Sequence, residues 1–204
     1  MEPLQRREIN NNLFGDNARI YQGDVVHNHW PRGQEGEKAN CLSDLRITDP
    51  RHDKIRIEST KGGLLEESYN WIFEHKDFQQ WRDNEDRPLL WIKGNPGKGK
   101  TMLLCGIINK LWEQRNAETL VSYFFCQATD SRINSATAVL RGLIYLAIDE
   151  RPELISHIPN KYSDGKKPYF DDINAWVVLS EIFLDMLNDI RLKRSFIIID
   201  ALDE

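Results

Sequence analysis

At 204 residues the chain has room for one domain with a buried core, and 40% hydrophobic with 29% charged residues excludes a fibrous or wholly disordered protein. A formal net charge of −5 offers no general attraction for nucleic acid, and no apolar run approaches the length of a membrane span. Three scattered cysteines (Cys41, Cys105 and Cys126) form no C-x-x-C pair and the five histidines lack metal-ligand spacing, so neither a disulfide framework nor a zinc site is indicated.

The polar amino terminus lacks a secretory core, which with reduced thiols gives a cytoplasmic protein as the expectation. Residues 1–40 are rich in Asn, Gly, Asp and His without helical periodicity, and read as a flexible tail with a spacer over residues 31–39. Inside it, residues 13–26 alternate apolar and polar positions around glycines, as two short strands joined by a turn would. A lone hairpin is barely stable in water, so this segment is expected to stay disordered until something pairs with it.

From Gly62 and Gly63 onward, Leu64, Leu65, Ser68, Tyr69, Ile72 and Phe73 trace one face of a helix, and Phe78 and Trp81 extend its apolar surface. After a polar break, residues 87–93 read as a short buried strand. The octapeptide Gly94-Asn95-Pro96-Gly97-Lys98-Gly99-Lys100-Thr101 then fits G-x-x-x-x-G-K-[ST], the loop that wraps nucleoside triphosphate phosphates. Glycines let consecutive N–H groups turn inward as an anion nest, and a helix opening at Lys100 points its positive dipole end at the phosphates. Lys100 reaches the β- and γ-phosphates, the Thr101 hydroxyl ligates magnesium, and Met102 continues the cradle into the helix. ATP and GTP are equally compatible, because these contacts read phosphates rather than the base.

Leu103, Leu104, Ile107, Ile108 and Leu111 recur with helical spacing, and residues 119–126 form a second apolar, β-rich strand. A helix over about residues 135–149 stops before Pro152, and a turn-rich stretch follows at residues 164–168. A helix from about Asn174 is expected to turn Val177, Val178, Ile182, Leu184, Met186 and Leu187 inward. The final strand, Ser195-Phe196-Ile197-Ile198-Ile199-Asp200, ends in an acid like a Walker B strand. Asp200 would hold magnesium through its water shell, while Glu204, with Asp203, would orient the attacking water. The strand–helix alternation predicts an α/β P-loop NTPase with a mostly parallel sheet flanked by helices.

The motif G-N-P-G-K-G-K-T, the preceding L-L-W-I-K and the terminal F-I-I-I-D-A-L-D-E together resemble the NACHT nucleoside triphosphatases of the STAND class. They come close to the fungal branch that includes the HET-E and HET-D incompatibility proteins. Upstream, D-L-R-I-T-D-P-R-H-D-K-I-R-I-E and T-K-G-G-L-L-E-E-S-Y-N-W-I-F are similar to the lead-in of that branch, so the resemblance covers about residues 41–204. It implies a helical lead-in over residues 41–87 and the N-terminal part of a NACHT domain over residues 88–204. It also implies a nucleotide-controlled switch in non-self recognition and programmed cell death. In the family, exchange of diphosphate for triphosphate drives oligomerisation and recruitment of an effector. The chain stops just after the Walker B acids, so a truncated product or fragment that binds nucleotide, rather than turning it over, is the expectation. Neither nucleic acid nor a membrane is expected as a partner.

The tail N-N-N-L-F-G-D-N-A-R-I-Y-Q-G-D-V-V, residues 10–26, looks like the amyloid-forming motifs at the amino ends of such proteins, related in pattern to the HET-s prion repeat. Stacked strands with asparagine ladders would template a matching motif on an effector protein, the basis of an alternative function as a nucleotide-independent interaction scaffold. A peptide of residues 1–30 should then form cross-β fibrils with a strand repeat of about 4.7 Å. A peptide that stays monomeric in a fibre assay removes that alternative.

Overall fold

The computed structural model describes residues 34–86, 88–158, 170–171 and 174–202. The tail motif at residues 10–26, the turn-rich stretch 164–168 and the acids Asp203 and Glu204 lie outside the described residues. The fold is mixed α/β: helices α1 (Gln34–Leu45), α2 (Pro50–Thr60), α3 (Glu66–Tyr69), α4 (Trp71–Glu74), α5 (Lys76–Asp83) and α6 (Lys100–Gln114) precede strand β1 (Thr119–Phe125). Helix α7 (Ala136–Glu150), a 3₁₀ turn (Pro152–His157), helix α8 (Ala175–Leu187) and strand β2 (Arg194–Asp200) follow.

The two strands pair in parallel, in register from Thr119 opposite Arg194 to Phe125 opposite Asp200. All of β1 is buried, as a strand covered on both faces requires. Successive side chains of a strand point to opposite faces. Ser122 Oγ donates to the Leu143 carbonyl at 2.9 Å and the Phe124 ring lies against Gly142, so this face is covered by α7. Tyr123 meets Trp112 of α6 edge-on, with ring centroids 6.4 Å apart, so the other face is covered by α6. Through the register, Phe196, Ile198 and Asp200 share that α6 face, and all three are buried. Helices α1 and α8 pack on α7, giving helix, helix, sheet and helix layers.

Polar tethers join the layers. Asp49 caps α2 by accepting from the Arg51 amide at 3.0 Å, and the Arg51 guanidinium bridges it at 2.8 Å to the carboxylate and reaches Asp149 of α7 at 2.5 Å. The Tyr145 hydroxyl donates to the same Asp49 carboxylate at 3.3 Å. Burial pushes the Asp49 carboxyl up, yet the hydrogen bonds and charge of Arg51 outweigh it and hold it below the usual range. Arg141 of α7 donates to the Leu45 carbonyl at 3.3 Å and to the Asp44 carbonyl, fastening α1.

Four expectations need correction. The spacer expected over residues 31–39 is helical from Gln34, because α1 buries Cys41 and Leu45 against the core. The single helix expected over residues 64–81 is three short ones: His75 is extended at ψ 129° and its ring accepts from the Asp77 amide, which ends one helix and starts the next. Residues 88–93 join no ladder among the described residues. Leu90 and Ile92 pack inward while Leu89 and Trp91 are exposed, so the period-2 alternation survives without a strand partner. Helix α8 buries Ala175, Leu179, Ile182, Phe183 and Met186, whereas Val177 and Leu184 face outward at 54% and 57% exposure.

Two glycines are required by close approach. A Cβ at Gly142 would meet the Phe124 ring at 2.3 Å, and one at Gly106 the Tyr69 ring at 2.3 Å. Alanine is favoured over glycine in a helix by about 1 kcal/mol. Overpacking a closed core costs about 1–3 kcal/mol, and the Phe124 ring, 2% exposed, has nowhere to go. An overlap at 2.3 Å puts that cost at the upper end, about 3 kcal/mol, so a net loss of about 2 kcal/mol should lower the Tm of Gly142→Ala by about 4–8 °C, whereas Gly36→Ala, whose Cβ would meet nothing within 4 Å, should leave it level or raise it. An unchanged or raised Tm for Gly142→Ala in a thermal melt contradicts this packing.

Candidate functional site

The loop over residues 94–99 connects the extended stretch 88–93 to α6. Gly97 and Gly99 adopt φ 75° and 80°, the left-handed region that costs a residue with a Cβ about 1–2 kcal/mol. A Cβ on either would meet nothing within 4 Å, so the demand for glycine there is conformational rather than steric. Gly99 stands at the N-cap of α6 with no side chain capping the helix. The first intrahelical bond runs from the Leu103 amide to the Gly99 carbonyl at 2.9 Å, which leaves the amides of Lys100, Thr101 and Met102 without an acceptor among the described residues. These outward-facing donors at the positive end of a 15-residue helix suit an anion.

Lys100 is folded back over the loop: its Nζ donates to the Gly94 carbonyl at 2.7 Å and the Asn95 carbonyl at 3.4 Å. Asn95, Pro96 and Lys98 are exposed on the loop, and Thr101 and Met102 are half-buried in the first turn of α6. The expected residues from Gly94 to Met102 are therefore contiguous around one helix end.

Asp200 is 8% exposed at the carboxyl end of β2, and its carbonyl accepts from the Cys126 amide at 3.2 Å. Its side chain lies on the face covered by α6. Burial pushes the Cys105 thiol up to about 12; Lys54 opposes the rise, while Glu58 and Asp200 add to it. Cys105 sits one helical turn beyond Thr101, so the negative charge of Asp200 is felt inside the helix that the loop opens. Of the two candidate magnesium residues, Thr101 thus sits in the first turn of α6 and Asp200 on the face of the sheet that α6 covers. Immediately after Asp200, Ala201 takes φ 52°, the one positive φ of a non-glycine among the described residues. Such strain concentrates at functional sites, and alanine is the smallest side chain that bears it.

Two supports escape sequence reasoning. Lys54 of α2 is buried and pairs with Glu58 at 2.6 Å, beneath α6; the i,i+4 spacing of opposite charges was the only available signal. Tyr69 of α3 rests on Gly106, locking α3 against α6; a glycine inside an apolar helix pattern marks such a contact. Among the described residues no group of three or more His, Cys, Asp and Glu side chains could hold a metal ion. No helix of the described residues is long and apolar enough to cross a membrane.

Residues 67–204 match the family described as Nephrocystin 3, N-terminal. The chain is 57% identical over 173 residues to vegetative incompatibility protein HET-E-1 of Podospora anserina, an alignment covering 85% of this chain and 13% of that protein. The chain thus spans a small part of the length of this relative. No solved structure matches. Because the matched segment runs from α3 through the loop to the end of the chain, the chain belongs to the nephrocystin 3 N-terminal family, as a HET-E-like NACHT protein.

Proposed function

We propose that this chain is a nucleoside-triphosphate-binding switch module with a P-loop NTPase fold, working in an incompatibility response like that named for HET-E-1. In this reading residues 41–87 are the lead-in and residues 88–204 the N-terminal part of the nucleotide domain, with residues 1–40 a tail ahead of both. The observation that carries it is the pair of left-handed glycines opening α6 beside the strand that ends in Asp200.

The amides of Gly97, Gly99, Lys100, Thr101 and Met102 bind the phosphate oxygens of ATP or GTP, and Lys100 leaves the loop carbonyls to neutralise them. Magnesium, when bound, offsets phosphate charge; the Thr101 hydroxyl and Asp200 are the residues that would hold it. Asp203 and Glu204 are assigned to orienting water. Within the longer protein the triphosphate state favours self-association and engagement of an effector, because a γ-phosphate can hold movable segments in one of two arrangements.

Among the described residues the Lys100 side chain hydrogen-bonds only to the loop carbonyls, so Lys100→Ala should fold normally. Losing charge-assisted hydrogen bonds worth about 1.5–3 kcal/mol should weaken magnesium–ATP and magnesium–GTP binding by about ten- to a hundredfold in calorimetry. Asp200→Asn should reduce the dependence of that binding on magnesium. Wild-type affinity in Lys100→Ala, at an unchanged Tm, would falsify the assignment.

A further inference from the structure

Helix α8 carries apolar side chains on both of its sides. Ala175, Leu179, Ile182, Phe183 and Met186 turn inward, and the helix packs on α7 and the 3₁₀ turn, as an amphipathic helix does. On the opposite side Trp176, Val177 and Leu184 are 50%, 54% and 57% exposed. At roughly 100° per residue, the outer positions run around the helix in the order Trp176, Leu184, Val177, Glu181, Asp185. The three apolar side chains thus form one continuous stripe, and the two acids line its edge. A single exposed apolar side chain is ordinary on a protein surface, but three on one stripe of a 13-residue helix mark a contact surface.

The charge along that edge selects the partner. Helix α8 carries no Lys or Arg, and among the described residues neither the Glu181 nor the Asp185 side chain forms a hydrogen bond or an ion pair. The next basic side chains in sequence are committed elsewhere: Arg191 holds Asp189, and Lys193 pairs with Glu118 at 2.6 Å. The stripe therefore meets solvent with two uncompensated anions along one side.

A second copy of this chain brings an α8 without cations, so self-pairing leaves the acids of both copies unmatched. An anionic lipid surface repels the acidic edge, and interfacial helices anchor through Lys and Arg that this one lacks. A helix with its own apolar stripe and Lys or Arg beside it satisfies both halves of the surface. It lays apolar side chains over Val177 and Leu184 and sets cations against Glu181 and Asp185. We propose that the outer face of α8 is a docking site for a basic amphipathic helix of a partner protein.

The test is an NMR titration of the whole chain with three peptides of about 18 residues, long enough to form a helix. It follows the amides of α8 and the Trp176 indole signal, assigned through Trp176→Phe. The first peptide repeats Leu at i, i+3, i+4 and i+7 with Lys at the other positions, the second replaces every Lys by Glu, and the third scrambles the first. The Lys peptide should shift α8 saturably and bind at least about tenfold more tightly than either of the others. The double variant Glu181→Lys, Asp185→Lys alters only exposed side chains and should reverse the preference between the Lys and Glu peptides, which a loss of packing would not do. Equal affinities, shifts located away from α8, or a preference that survives the charge reversal overturn the proposal. So do concentration-dependent shifts of α8 without peptide, which assign the face to a second copy, and cosedimentation with phosphatidylserine vesicles, which assigns it to a membrane. Helix α7 and the sheet separate α8 from α6, so the outcome does not depend on nucleotide binding.

Discussion

Parallel pairing of β1 with β2 is the contact on which the rest of the structure depends. It joins segments about 70 residues apart, sets Phe125 opposite Asp200, and decides which faces the helices cover. Because side chains alternate, one register places Phe124 on Gly142 of α7 and Tyr123 beside Trp112 of α6. A slip of one residue would turn Asp200 away from α6 and drive Ile199 into its place. Burial of the whole of β1 makes that slip expensive, so hydrophobic matching secures the position of the acid.

The same layer organises charge. Helix α6 presents its positive end through two glycines that need a left-handed backbone, and Asp200 supplies negative charge on the neighbouring strand. Beneath them the Lys54–Glu58 pair is neutral overall, so it adds little net field while filling the space between α2 and α6. Tyr69 on Gly106 and Trp81 against Phe196, with ring centroids 5.4 Å apart, fix the lead-in helices to this layer. A change in the loop or at Asp200 is therefore mechanically connected to residues far upstream in sequence.

Local and continuous signals were the legible ones. Helices α6 and α7 follow from unbroken helical spacing, with Ser135 capping α7 through the Ala138 amide and Pro152 lying just beyond its end; β1 and β2 follow from apolar runs. The left-handed backbone of Gly97 and Gly99 was legible for the same reason, since a glycine-rich motif states a backbone requirement. Where the outcome depends on a distant partner, reading failed. Residues 88–93 alternate like a strand, but a ladder needs a neighbour that local pattern does not supply. Val177 and Leu184 are apolar and exposed because hydrophobic character permits burial without requiring it. Lys54 and Gly106 escaped because their roles arise only when α2, α3 and α6 are packed.

The central claim is that the backbone around Gly97 to Met102 is an anion cradle facing a strand that ends in Asp200. Hydrogen exchange measured amide by amide, with and without magnesium–ATP, tests it most directly. Slowed exchange at Gly97, Gly99, Lys100, Thr101 and Met102, with the interior of α7 unaffected, is the predicted result. Unchanged exchange at those amides at saturating nucleotide would contradict the account.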